Sequence, residues 1–368
     1  MKGDWPALVK LGQITRHHGR EAKDSVGICH LCAAGQTNFD FNLFGYNDLV
    51  ASRTDDLPWD TPSPLTATIP QDRTKLPMFY KVDIFHTCHK GVMADLCANA
   101  IVTLFDLNVD GMSVNSGIDK IYEEVVAHAQ KHKLSLHMLQ LSRTLLGFAN
   151  SWSFPAGWLC STHYFQTLKG FVLSRQFSWG IQAQSESWKA SRLVKLGVIN
   201  ARSWFKGADT TTLTHFLEKR YADLVSDKPN HPHCRYLTSI LAGLQASNVF
   251  FHTLYAAPLW LRNKDRDTLI DSLYGVLRSF AEAANYAYGV LKKTRFKYQP
   301  KYHMLAEIRF AMMVDRNNLV PSLNPLAFST QMDEDYVGKI CQMSRFVASR
   351  TVRIKTIERL KLALMALW

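Results

Sequence analysis

From residue 118 onward the apolar positions recur every three to four residues, with no sustained alternation of period two. The pattern predicts helices over 118–132, 134–149, 237–255, 266–292, 302–315, 333–346 and 352–367, so this part of the chain is expected to be all α. Upstream, Val92, Leu96, Ala100, Thr103 and Leu104 fall at helical spacing and predict a helix within 89–106. In Asp4-Trp5-Pro6 an acidic cap precedes a proline at a first-turn position, where its missing N–H costs nothing. A short helix from Trp5 to Leu11 is expected, with Asp4 at its boundary. The stretch 38–77 has no period and is rich in turn residues, as in Asp55-Asp56-Leu57-Pro58-Trp59-Asp60-Thr61-Pro62-Ser63-Pro64, which predicts an extended loop.

One stretch breaks the helical pattern. Over 157–202 the chain carries Trp158, Trp179 and Trp188, several Ser and Gln, and Glu186 as its single acidic residue. It reads either as an insertion or as an aromatic-rich packing segment, and the flank 206–210 reads as a helix-linking loop. No internal repeat is evident.

Composition narrows the class. Of 368 residues 47% are hydrophobic and 11% aromatic, enough to bury a core and to exclude a wholly disordered basic tail. The longest apolar stretches, 96–107 and 240–261, are interrupted by Asn, Gln, His or Asp, so no membrane span is expected. The first residues lack the apolar segment of a signal peptide, and seven Cys in the whole chain fit reduced thiols inside a cell.

The net charge of +12 matters through its placement. Arg345, Arg350, Arg353, Lys355, Arg359 and Lys361 stand against Glu358 alone, and Lys292, Lys293, Arg295, Lys297 and Lys301 form a second basic run. Such clusters favour a polyanion, because each neutralised phosphate releases a counterion. Nucleic acid is the expected partner.

Two sets of residues could carry chemistry. Cys29-His30-Leu31-Cys32 is a CxxC pair that reads as half a zinc site, as a redox pair or as chance. Further ligands would come from His86, Cys88 and His89 in Asp83-Ile84-Phe85-His86-Thr87-Cys88-His89, or from His303 in Lys301-Tyr302-His303-Met304-Leu305. The other set is acidic: Asp4, Asp83 and the run Asp333-Glu334-Asp335 all open elements. Nucleic-acid enzymes gather carboxylates to hold two Mg²⁺ ions for in-line phosphoryl transfer, yet a carboxylate at a helix start is equally an N-cap or dipole partner. Spacing alone leaves both readings open.

Taken in order, these pieces resemble the later part of the catalytic domain of eukaryotic cut-and-paste DDE/D transposases. The likeness is closest to the CACTA and Kyakuja-Dileera-Zisupton kind and extends to the V(D)J recombinase core and to transposon-derived proteins of dinoflagellates. Lys2-Gly3-Asp4-Trp5-Pro6-Ala7-Leu8 is similar to the GD-x-P-x-L segment, Cys29 and Cys32 to the C(2)C element, and Asp83-Ile84-Phe85-His86 to the D(2)H element. Pro300-Lys301-Tyr302-His303-Met304-Leu305 resembles the PK-x-H-x-L helix, and Met332-Asp333-Glu334-Asp335-Tyr336-Val337-Gly338 the FE-x-F-x-G segment.

The resemblance implies a mostly α fold with a small α/β part: an incomplete ribonuclease-H-like core carrying a large helical insertion. Residues 1–110 would form the back of the core, 111–300 the insertion, with 157–202 an extra insertion, and 301–368 the returning helices and basic tail. It implies Asp4 and Glu334 as catalytic acids, with Asp333 as the alternate, and Mg²⁺ or Mn²⁺ as their cofactor. It also implies a structural Zn²⁺ on Cys29, Cys32 and His303, completed by His86, His89 or Glu307. DNA is the implied partner, gripped by Arg345, Arg350, Arg353, Lys355 and Arg359, with a homo-oligomer allowed, no membrane, and the nucleus as location. The family's first catalytic Asp lies upstream of the GD-x-P segment, so this chain is expected to be catalytically incomplete. The alternative is a non-catalytic zinc-stabilised DNA-binding or scaffold protein.

Overall fold

The computed structural model describes residues 1–3, 5–17, 27–109, 111, 114–134, 208–331, 344, 347–348 and 350–365. Asp4, Asp333, Glu334, Arg345, the segment 157–202 and almost all of 134–149 and 333–346 lie outside the described residues. Three short helices come first, α1 (Trp5–Gly12), α2 (Tyr46–Ala51) and α3 (Pro64–Thr68), with a 3-10 turn over Arg73–Phe79. A π-helical turn, Phe85–Val92, runs directly into α4 (Met93–Asp106). Then follow α5 (Val114–Lys131), α6 (Ala208–Asp227), α7 (Cys234–Ala256), α8 (Asn263–Gly289), α9 (Pro300–Asn317) and α10 (Val352–Met365). The fold is mostly helical. Among the described residues there is no β-strand, and only isolated bridges join Cys32 to Arg53 and Trp260 to Leu323. The small α/β part expected within 1–110 therefore has no sheet in the residues described. No described helix is long and apolar enough to cross a membrane.

The core is built around α4. Every residue from Met93 to Leu104 is buried, the polar Asp95, Asn99 and Thr103 included, so this helix needs neighbours on every side. The π-helical turn, α5, α6 and α7 pack on it, and Leu217, Leu244, Leu273 and Leu305 of α6, α7, α8 and α9 extend the same apolar cluster. Buried tyrosines close the polar ends of this packing: Tyr221 Oη donates to the carbonyl of Ala100 at 2.6 Å, and Tyr302 Oη to that of Leu277 at 2.7 Å. α4 ends on Asp106, the wrong sign for a helix C-terminus. Lys293 Nζ and Arg295 Nε each reach its carboxylate at 2.7 Å, so two members of the second basic run serve as an internal clamp.

α7 and α8 lie close because small residues line their contact. A methyl carbon on Gly275 would stand 2.9 Å from Ala246 Cβ, and one on Gly243 would stand 3.1 Å from Ser279 Cβ. Backbones this near leave no room for branched side chains.

Two expectations change against the structure. The stretch 38–77 is not one extended loop; it holds α2, α3 and the 3-10 turn, each started by local chemistry. Ser63 accepts from the Thr66 N–H ahead of Pro64, and Asp72 accepts from the Thr74 N–H. Likewise 206–210 is not simply a link, because α6 begins at Ala208. The β-branched Thr210, Thr211, Thr212 and Thr214 obscure this helix in the sequence. Burial favours it: Thr210 Oγ1 donates to the His89 carbonyl at 2.8 Å, and Thr214 Oγ1 to that of Thr211 at 2.9 Å.

Gly275→Leu should therefore lower stability by about 1–3 kcal/mol in urea unfolding, with part of the loss restored by Ala246→Gly on the facing helix. Full stability of the single variant would show that the two helices are not in close contact.

Candidate metal centre

The CxxC pair sits in a tight turn. Ile28 N–H donates to the Ala34 carbonyl at 2.8 Å, and Ala33 N–H to that of Ser52 at 2.8 Å, which ties the turn to the end of α2. Gly27 and Gly35 bracket it with φ of +86° and +84°, a region side chains rarely adopt. Inside the turn the backbone points at the sulfurs. Leu31 N–H lies 3.3 Å from Cys29 Sγ, and Ala34 N–H lies 3.4 Å from Cys32 Sγ. Such N–H groups stabilise thiolates, the form that binds metal.

The other half comes from α9. Pro300 opens that helix at a first-turn position, and His303 and Glu307 then fall four apart on one face. Cys32 Sγ lies 3.3 Å from His303 Nε2, Cys29 Sγ lies 3.8 Å from Glu307 Oε1, and His303 Nε2 lies 3.2 Å from Glu307 Oε1. All four groups are buried, and their ligand atoms lie within 4.8 Å of one another. In a tetrahedron with bonds of about 2.0–2.3 Å the ligand atoms are separated by about 3.3–3.8 Å. The donor set therefore fits a zinc-sized ion in both spacing and type.

Charge also closes. Two thiolates and one carboxylate around a divalent cation leave one negative charge. Arg53 supplies the opposite one, with Nη2 at 2.8 and 2.7 Å from the two Glu307 oxygens. Arg16 Nε holds the Cys29 carbonyl at 2.8 Å, and His30 Nε2 meets the Tyr80 carbonyl at 2.9 Å, so the turn is supported from outside.

Without an ion, protons take its place. Burial works against the His303 imidazolium, but Cys32 and Glu307 outweigh it and raise this group to about 9. The bond from Cys29 brings Cys32 down to about 5 against burial, with His303 assisting. Burial, and the thiolate beside it, push Cys29 well up. Burial would raise Glu307, yet His303 and Arg53 bring it to about 2. The metal-free site thus holds one thiolate, one thiol and one imidazolium near neutral pH.

The remaining candidates lie elsewhere. Asp83 accepts from the N–H groups of Phe85 at 2.9 Å and Thr330 at 3.1 Å and bonds His86 Nδ1, which also lies 3.2 Å from Thr330 Oγ1. Burial would raise its carboxyl, but the bonds from His86 and Thr330 hold it below the usual range. Asp83 caps the π-helical turn and ties it to residue 330. His89 is buried against Phe251, its ring 4.6 Å away, with Nε2 2.7 Å from Tyr255 Oη, and burial pushes it down to about 4. Neither His86 nor His89 stands in the group of four; Glu307 is its fourth member.

Asp4, Asp333, Glu334 and Arg345 fall outside the described residues. Arg350, Lys355 and Arg359 are exposed, and Arg353 lies within α10. No local pattern in the sequence distinguishes Arg53, Arg16 and His30: Arg53 lies in the aperiodic 38–77 stretch. No family model, curated protein or solved structure matches the chain.

Zn²⁺ uptake at pH 7 should release about two protons per ion, from Cys29 and His303, and should weaken as pH falls. Calorimetry in buffers of different ionisation heat measures this number, and a value near zero would exclude the set. Arg53→Met should weaken Zn²⁺ binding by about 10–100-fold while leaving the four ligands in place, read by chelator competition.

Proposed function

We propose that this protein is a transposase-derived DNA-binding protein whose fold is clipped by a structural zinc ion. One observation carries the reading. The two elements that resemble the family's C(2)C and PK-x-H motifs stand 271 positions apart in the chain, at Cys32 and His303, and meet at one site. Chance matches of short motifs have no reason to converge on one site.

In this reading the zinc performs no chemistry. With four protein ligands the site is closed, the arrangement of structural rather than catalytic zinc. Its role is to hold residues 27–53 against α9. Binding falls to basic groups that face solvent. Lys292, Lys297, Arg350, Lys355, Arg359 and Lys361 are exposed, Lys355 in a surface pair with Glu358 at 2.8 Å, whereas Lys293 and Arg295 hold the part-buried Asp106. A ribonuclease-H-like core and a nuclear location belong to the same proposal. Asp4, Asp333 and Glu334 would hold Mg²⁺ in it, and we confine the reading to binding because these acids lie outside the described residues.

The competing reading is a zinc-stabilised scaffold with no nucleic-acid role. The Asp106 clamp favours it, since it removes two cations from the surface. Salt dependence separates the two. Duplex DNA binding should weaken steeply between 50 and 200 mM salt, as expected for proteins that make several phosphate contacts. The variant Lys355→Glu/Arg359→Glu/Lys361→Glu should lower the slope of log K against log salt by about one per phosphate contact removed. A flat salt response, or an unchanged slope in the variant, would favour the scaffold.

A further inference from the structure

The His303 ring has a second nitrogen that the metal centre does not use. Nε2 faces Cys32 Sγ at 3.3 Å and Glu307 Oε1 at 3.2 Å. With an ion bound, this nitrogen gives its lone pair to the metal, and without one it carries a proton toward the same two groups. In both states the hydrogen on Nδ1 stays in place. His303 is 1% exposed, and no atom of the described residues accepts from Nδ1. A buried N–H without an acceptor is rare. A histidine that ligates a metal almost always donates its other N–H to a carboxylate, a carbonyl or a water.

A cavity lies where such a partner would stand. It has a volume of about 10 Å³ and is lined by Asp40, Asp48, Ser52 and His303, with Phe39 and Leu49 among its apolar residues. Neither cysteine borders it and neither does Glu307, so it lies on the side of the ring away from Nε2, where Nδ1 is the polar atom. This is the space of a single water, too small for an organic ligand. A buried water makes about three hydrogen bonds, and the polar wall can supply them.

α2 arranges that wall. Ser52 N–H donates to the Asp48 carbonyl at 3.0 Å, so the two residues stand one turn apart on the same face. Ser52 is buried, and its Oγ donates to the Leu49 carbonyl at 3.0 Å, which leaves the lone pairs of that oxygen to accept. The Asp48 carboxylate is folded back over Gly45, where a methyl group on the glycine would collide with Oδ2. Asp40 reaches the cavity from the exposed chain ahead of the helix.

We infer that the cavity holds one water, which accepts from His303 Nδ1–H and donates to Ser52 Oγ and to the Asp48 carboxylate. Asp48 is then a positioning residue for the imidazole. The relay fixes the tautomer with hydrogen on Nδ1, and so decides which nitrogen is offered to the cysteines. One short segment thereby braces both ligands of α9. Arg53 holds Glu307 directly, and Asp48 with Ser52 holds His303 through the water.

The affinity arm of the test rests on the structural-zinc reading, whereas the water itself does not. In chelator competition at pH 7, Asp48→Leu should bind Zn²⁺ about tenfold more weakly than the wild type. Asp48→Asn keeps an acceptor and should stay within about twofold, and Asp40→Leu should be unchanged. Loss of a charge at a helix end would instead weaken the Asn and Leu variants alike. In protein labelled with ¹⁵N-histidine, the His303 Nδ1–H should show a nuclear Overhauser contact to a bound water, both with and without Zn²⁺. A wild type that shows this contact but takes up no Zn²⁺ would remove the metal reading and keep the water site. Absence of the contact, or equal Zn²⁺ affinity of Asp48→Leu and the wild type, would overturn the relay.

Discussion

The meeting of Cys29 and Cys32 with His303 and Glu307 is the constraint on which the first eighty residues depend. That part of the chain has little apolar material of its own. Its largest separate cluster is Trp5, Leu8, Ile14, Trp59 and Tyr80. A closed zinc site in small domains contributes about 10–16 kcal/mol of apparent binding energy, comparable to the whole net stability of a domain. The helical bundle from α4 to α9 needs no such help, because its core is continuous.

The arrangement around the centre also explains why buried charge is tolerated there. Four ionisable ligands in an apolar setting would be costly if their charges were uncompensated. Arg53 and a bound divalent ion would balance them, and in the ion's absence the protons on Cys29 and His303 do so. The same logic governs Asp106, where an unfavourable charge at a helix end is met by Lys293 and Arg295. Basic residues in this chain therefore divide into those that balance the interior and those that face solvent, and net charge alone does not separate the two.

The helical part was legible because period and burial agree. The patterns over 118–132, 237–255, 266–292 and 302–315 correspond to α5, α7, α8 and α9, with ends displaced by a few residues. α6 was hidden by its run of threonines, whose preference for other conformations is offset by burial against the π-helical turn. The stretch 38–77 was hidden for the opposite reason: its helices are too short for a period to appear, and caps start them. At the site, Cys29, Cys32 and His303 could be chosen from residue type and spacing. Choosing Glu307 over His86 and His89 required knowing which face of α9 looks at the turn, and the partners Arg53 and Arg16 came only from tertiary proximity. Asp83 shows the reverse, since its place at an element start already admitted a cap, and its bonds are those of one.

One helix carries both halves of this design. Along α9, Tyr302, Leu305 and Ala306 belong to the apolar core, while His303 and Glu307 turn toward the cysteines. The two sets interleave residue by residue. Inserting a single residue at the start of the helix would rotate everything beyond it by about 100°. Core side chains would swing toward the sulfurs and the ligands toward the bundle. α9 consequently acts as a register gauge: substitutions on it can be absorbed one at a time, but its length between Pro300 and Glu307 is fixed. Over evolutionary time, insertions should collect in the connections between helices and be purged from this segment.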